Sequence, residues 1–231
     1  MELIEILSHN PVFSHLKMDE LNRIKDLAIT RHYQKGQWIT FYGEVWSYLF
    51  IVQGGRVNAV KESKEGRSLT VMTLEEGDIF WGLAFFQEGA PMPVSLQANQ
   101  DCRIHMWSQD RLLPFLMRNG DMSWELACLM IRRMQRVSDI VEELAFHPNI
   151  GRLARLLLEN YEDAVGEYVS RDLTLDEMGS RIGTTREVVC RLLSRFAEEG
   201  AIQIKRTEFM IKDRGKLIVH AGRVKGEVSE P

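Results

Sequence analysis

Cysteine is scarce in this chain. Cys102, Cys128 and Cys190 are the only three, and they lie far apart. An odd, sparse set argues against a disulfide framework and fits a reducing compartment. No C-x-x-C pair occurs, which excludes a zinc ribbon. Long apolar runs are missing too, and none approaches the ~20 residues that a membrane helix needs. The start, Met1-Glu2-Leu3-Ile4-Glu5, has no basic flank and no small-residue cleavage pattern. No secretory signal is expected from it, and the expected location is the cytoplasm. Histidine is thin in the region that reads as strands, where only His32 and His105 occur and His-x-His does not. A metal cupin needs clustered His and Glu ligands, so no metal site is expected. With no G-x-S-x-G, Walker loop or G-x-G-x-x-G, no catalytic residue and no enzyme activity are expected either.

What is present is an ordinary folding composition: 231 residues, 45% hydrophobic and 27% charged. That length suits one large domain or two small ones. The net charge of −4 argues against a nucleic-acid partner only as a global sum. Residues 180–216 hold nine basic and five acidic side chains. A phosphate backbone responds to such a local surplus.

The patterning changes three times. Residues 1–28 read as helical, from Leu3, Ile6 and Leu7, then Leu16, and then Leu21, Ile24 and Leu27 at steps of three. From about residue 32 to 108, short runs rich in β-branched and aromatic residues are separated by glycines. The runs are 38–41, 48–52, 57–60, 69–72 and 102–106, and their spacing predicts a small sandwich or barrel. Lys64-Glu65-Gly66 reads as a hairpin turn. From 110 to 146 the helical period returns, and Met130, Met134, Val137, Val141 and Leu144 repeat with the seam spacing of a coiled coil. That seam is the expected dimer interface. His147-Pro148-Asn149 breaks the helix, because the residue before a proline disfavours the helical region. A further helix is expected over 149–163 and a connector over 166–171.

Residues 173–200 carry the most information. Thr174 and Glu177 have the spacing of a capping box, as do Thr184 and Glu187, and each precedes a segment ending at a glycine, Gly183 or Gly200. Two capped helices around a tight turn make a helix-turn-helix. On the second helix, Val188, Leu192 and Phe196 are expected to face inward. Thr185, Arg186, Glu187, Cys190, Arg191 and Ser194 are expected to face DNA. Arginine donates twice to guanine and glutamate accepts from cytosine N4. Two alternating runs then flank Arg206-Thr207-Glu208 and predict a wing, with Lys205 and Arg206 at its tip as phosphate contacts.

The order of these parts resembles the Crp/Fnr family of bacterial transcription regulators over about residues 10–220. Gly36, Gly43, Gly54 and Gly77-Asp78-Ile79-Phe80 resemble the glycines of its cyclic-nucleotide-binding-type β-roll. The segments 131–135 and 144–146 resemble its dimer helix, and 151–157 the first helix of its DNA domain. The segment 182–193 resembles its helix-turn-helix. The expected fold is therefore α+β: an N-terminal double-stranded, jelly-roll-like β-roll (1–109), a long dimerisation helix (110–147), a C-terminal winged helix-turn-helix (148–222) and a flexible tail (223–231). The resemblance implies a homodimer on double-stranded DNA. Arg186, Glu187 and Arg191 would read a TGTGA-like half-site of a palindrome, and RNA polymerase is a further partner if the outcome is activation.

The effector is where the sequence departs from its relatives. The cyclic-AMP members hold the nucleotide with a Glu and an Arg-Ser-Ala run. Aligned through Phe85-Phe86-Gln87-Glu88-Gly89, these positions are Gly82 and Met92-Pro93-Val94, and the adenine-contacting Thr is Val137, followed by Ser138. A buried cyclic phosphate needs a cation, and Met92 supplies none. Cyclic AMP is therefore not the expected effector. Trp81, Gly82, Leu83, Phe85, Phe86, Met92, Val94, Met134, Val137 and Ser138 make up the candidate pocket, whose apolar members suit an apolar small molecule. The Fnr iron–sulfur type is excluded because residues 1–35 hold no cysteine. Haem stays open as an alternative, in a gas or redox sensor, as does a regulator of this fold that needs no effector.

Overall fold

The computed structural model describes residues 2–63, 67–161, 164–205 and 208–222. The expected hairpin turn at Lys64-Glu65-Gly66 and the tail 223–231 lie outside the described residues. Two compact units divide the chain, one of residues 1–61 and 71–136, the other of 62–70 and 137–231.

In the first unit, α1 (Leu3–His9) and α2 (Met18–Asp26) precede the strands. The expected continuous helical stretch over 1–28 is interrupted at residues 10–17. Asn10 leaves the helical region, and its side chain accepts the Val12 N–H and donates to the Gly77 carbonyl instead. Among the described residues eight strands follow, β1 (Ile29–Tyr33), β2 (Trp38–Thr40), β3 (Tyr48–Gly54), β4 (Val57–Glu62), β5 (Ser68–Leu74), β6 (Ile79–Trp81), β7 (Ser95–Ala98) and β8 (Cys102–Ser108), with the last residue of β4 and the first three of β5 assigned to the second unit. They form two four-stranded sheets, ordered β1-β8-β3-β6 and β2-β7-β4-β5. Three of the strands, β1, β6 and β7, answer to no expected run. The polar Thr30-Arg31-His32 in β1 and the shortness of β6 leave little period to read.

Residues of β3 and β8 face two cores by strict alternation. Phe50, Val52, Cys102, Ile104 and Met106 fill the space between the sheets. Leu49, Ile51 and Trp107 face a layer of helices, with Trp107 donating its indole N–H to the Ile24 carbonyl at 2.7 Å. Burial on both faces explains why β3 reads as a solid apolar run. The expected single helix over 110–146 is two, α3 (Gln109–Arg118) and α4 (Gly120–Phe146). Asn119 leaves the helical region and its side chain caps the next helix by accepting the Met122 N–H.

In the second unit, α5 (Asn149–Asn160), α6 (Leu175–Ile182), α7 (Arg186–Glu198) and α8 (Arg214–Ala221) pack around one core. A three-stranded sheet, β10 (Ile202–Ile204), β11 (Glu208–Ile211) and β9 (Val169–Ser170), completes it. The expected connector at 166–171 thus contributes a strand. Tyr161 and Leu173 close the lower edge, where the phenol donates to Asp172 at 2.7 Å and burial pushes its pKa up.

Phe196 is fully buried at the centre of this second core. Phe196→Ala is expected to cost ~3–5 kcal/mol in denaturant unfolding of the C-terminal unit. A loss under about 1 kcal/mol would show that α7 is not held by that side chain.

Candidate nucleic-acid interface and effector site

The helix-turn-helix is built as its spacing predicts at the first helix and differently at the second. Thr174 caps α6: its hydroxyl accepts the Glu177 N–H at 3.2 Å, and the Glu177 carboxylate accepts the Thr174 N–H at 2.8 Å. Gly183 ends α6 with φ +65°, a left-handed conformation that favours glycine. The second expected box, Thr184 with Glu187, does not form. Thr184 instead accepts a hydrogen bond from the Asn149 amide at 3.1 Å, and Thr185 becomes the residue before the helix. The Thr185 side chain hydrogen-bonds the Glu187 carboxylate, which holds the Glu187 pKa below its ordinary value, with Arg186 and Arg191 adding to the effect.

The buried stripe of α7 is Val189, Leu193 and Phe196. Two of the three expected inward residues, Val188 and Leu192, are only half-buried at its edge. The stripe closes in steps of four and three, so it starts one residue later than steps of four through Phe196 suggest. Arg186, Glu187, Cys190, Arg191 and Ser194 all lie on the exposed face, and Thr185 is half-buried at its start. Arg186 pairs with Asp176 at 3.1 Å, with both side chains well exposed. An exposed pair of this kind is worth little and yields readily to a phosphate or a base edge. On the wing, Lys205 bonds Glu208 at 3.0 Å and sits 3.5 Å above the centre of the Tyr168 ring. Arg206 lies outside the described residues.

Beneath this interface lies a buried guanidinium. Arg152 on α5 donates to the Ile182 carbonyl at 2.8 Å, the His147 carbonyl at 2.6 Å and the Asn149 side-chain oxygen at 2.6 Å. It thus meets the ends of α4 and α6 together, where carbonyl dipoles favour a cation. Burial lowers its pKa and Glu143 works in the opposite direction.

The seam residues of α4 are laid out as a surface stripe. Met134 is 68% exposed, Val137 43% and Val141 60%, while Met130 and Leu144 are half-buried. These apolar side chains form one exposed row along α4.

The candidate effector pocket is divided by the structure. Trp81, Leu83 and Phe86 line an apolar groove of about 540 Å³ with Met130, Leu113 and Met117. Phe85, Met92 and Val94 do not, because all three are packed into the cores of the first unit. Gly82 is a packing glycine: a Cβ there would stand 1.8 Å from the Trp46 carbonyl oxygen. Met134, Val137 and Ser138 are exposed on α4. Cyclic AMP finds neither of its two cassette side chains here. The position of the phosphate-binding Arg is the core side chain Met92, and no side chain can be added at Gly82.

Haem finds no ready axial ligand in His105. Its two ring nitrogens bond Thr30 Oγ1 at 2.9 Å and Gln53 Oε1 at 2.8 Å. Among the described residues, no group of three His, Cys, Asp or Glu is placed to hold a metal ion. Sequence reasoning missed Arg133, whose guanidinium lies 4.6 Å from the Trp81 ring centre.

A sheet-on-sheet domain followed by a winged helix-turn-helix is the layout of a two-domain DNA-binding protein. The cyclic nucleotide-binding domain family matches residues 30–119 and the Crp-like helix-turn-helix domain family matches residues 151–219. The chain is a DNA-binding transcription regulator of the Crp/Fnr family. It is similar to the CRP-like cAMP-activated global transcriptional regulator of Mycobacterium tuberculosis, 24% identical across 92% of this chain and 97% of that one. It is 28% identical to the Escherichia coli regulator CRP across 78% of this chain and 83% of that one. Among solved structures, a CooA variant from Carboxydothermus hydrogenoformans shares the fold with a TM-score of 0.70 at 20% identity, covering 96% of both chains. Among the described residues no helix is long and apolar enough to cross a membrane.

The Thr185–Glu187 bond can be tested directly. Thr185→Val is expected to move the Glu187 titration midpoint upward, read by carboxyl-carbon NMR. An unchanged midpoint would show that the hydroxyl does not hold the carboxylate.

Proposed function

We propose that this chain acts in the cytoplasm as a homodimer that reads a TGTGA-like palindrome, under the control of a small molecule other than cyclic AMP. The observation that carries the reading is the exposed face of α7, where Arg186, Glu187 and Arg191 stand together on a helix whose opposite side is locked into the core. Two arginines and a glutamate on the first turns of a recognition helix suit guanine and cytosine edges. The exposed stripe Met134, Val137 and Val141 supports pairing of two α4 helices. Such pairing would set the recognition helices ~34–36 Å apart, one turn of duplex. Control by a ligand other than cyclic AMP is supported by Met92 and Gly82 at the cassette positions, and an apolar ligand by the groove at Trp81.

The test is fluorescence anisotropy on a TGTGA-N6-TCACA duplex against a scrambled one, over a range of salt. Specific binding is expected, with the logarithm of the affinity falling linearly with the logarithm of the salt concentration. Arg186→Ala and Arg191→Ala are each expected to cost ~1–3 kcal/mol and to relax one base position. Equal losses on both duplexes would reduce these arginines to phosphate contacts and defeat the base-reading assignment.

A further inference from the structure

Asp176 is an acid on a surface that is expected to meet phosphate. It is the second residue of α6, and its side chain is 69% exposed. Its Oδ2 accepts from Arg186 Nη1 at 3.1 Å, so it shares the exposed face on which Arg186 opens α7. The first helix of a helix-turn-helix crosses the phosphate backbone while the second enters the groove. A helix start ordinarily attracts phosphate, through its free N–H groups and the positive end of its dipole. At α6 two acids of the first turn, Asp176 and Glu177, oppose that attraction. Glu177 has a structural task, since its carboxylate accepts both the N–H and the hydroxyl of Thr174. Asp176 makes no such cap, and its side chain meets the other helix of the motif instead.

The pair yields to DNA, but what Arg186 gains depends on where it lands. At a phosphate it trades one anionic oxygen for another, so the net gain is small. At a guanine the guanidinium donates twice, to O6 and N7. A carboxylate held through one terminal nitrogen does not offset that second bond. The acid thus cancels the contact that any sequence offers and spares the one that a particular base offers. Specificity is such a difference of affinities, and it can be raised by weakening the wrong complex. The wing repeats the arrangement, with Lys205 paired to Glu208 at 3.0 Å and both side chains about half-exposed.

We infer that Asp176 is a specificity-determining residue: it competes with phosphate for Arg186 and suppresses binding to DNA of unrelated sequence. This rests on the assignment of Arg186 to a base edge. It goes beyond that assignment by giving discrimination to an acid on the neighbouring helix.

The test is fluorescence anisotropy of full-length Asp176→Asn and wild type on the TGTGA palindrome and the scrambled duplex, over a range of salt. Affinity for the scrambled duplex is expected to rise about fivefold at low salt, the weight of one close surface charge contact. Its log–log salt slope is expected to steepen by about 0.9 for each bound chain, as one more phosphate is neutralised. Affinity for the palindrome is expected to move less, so the ratio of the two falls. Asp176→Glu keeps the charge and is expected to keep most of the discrimination. Glu88→Gln removes an exposed acid of the first unit, changes the net charge equally and is expected to leave both affinities in place. Equal gains on both duplexes, or the same gains in Glu88→Gln, would reduce Asp176 to general repulsion and overturn the inference. Unchanged binding to both duplexes, or weaker binding to the palindrome, would overturn it as well. A wild-type protein that does not distinguish the duplexes would instead defeat the base-reading assignment, and the inference with it.

Discussion

The interaction on which the DNA-binding unit depends is the burial of Arg152. A guanidinium removed from water is costly unless its donors are matched. Here they are matched by carbonyls at the ends of α4 and α6 and by the Asn149 side chain. The consequence is geometric. The end of α4, the start of α5 and the end of α6 converge on one planar fork, and a shift of any of them breaks hydrogen bonds of a buried cation. Arg155 reinforces the same corner through Glu143 and the Ala221 carbonyl. In the proposed dimer, a change in how the α4 helices pair would pass through this corner to the recognition helix as a population shift between two arrangements.

The molecule divides its polar side chains by purpose. Arg152 and His105 are buried and bonded, and they hold backbone together. Arg186, Glu187 and Arg191 are exposed, held only by weak surface pairs, and remain available to a ligand as large as a duplex. Arg133 belongs to neither group, since it is half-buried and its Nη1 has no hydrogen-bond partner among the described residues. Its neighbours Phe80 and Trp81 stabilise the charge through their ring faces without satisfying the last N–H.

Much of this was legible in the chain. The α6 cap at Thr174 and Glu177, the glycine turn at Gly183 and the exposed face of α7 follow from local spacing, because caps and turns are decided within a few residues. The second capping box was not legible. Thr184 is drawn away by Asn149, which lies 35 residues earlier, and no local pattern encodes a tertiary competitor. The pocket was misread for a related reason. Met92 and Val94 look like lining because they occupy ligand positions in relatives, yet apolar side chains there collapse into the core between the sheets. Strand β9 was missed because two residues carry no period. Arg133 was overlooked because charge on a helix usually means solvent, and only three-dimensional packing shows two rings closing over it.

The central claim is that two copies of this chain engage one duplex through α7. The most direct measurement is the mass of the protein–DNA complex in solution, by sedimentation or native mass spectrometry, on full and half TGTGA palindromes. The account predicts two chains on the full palindrome and sharply weaker binding to the half-site. A single chain bound to each, or equal affinity for the half-site and the full palindrome, would contradict it.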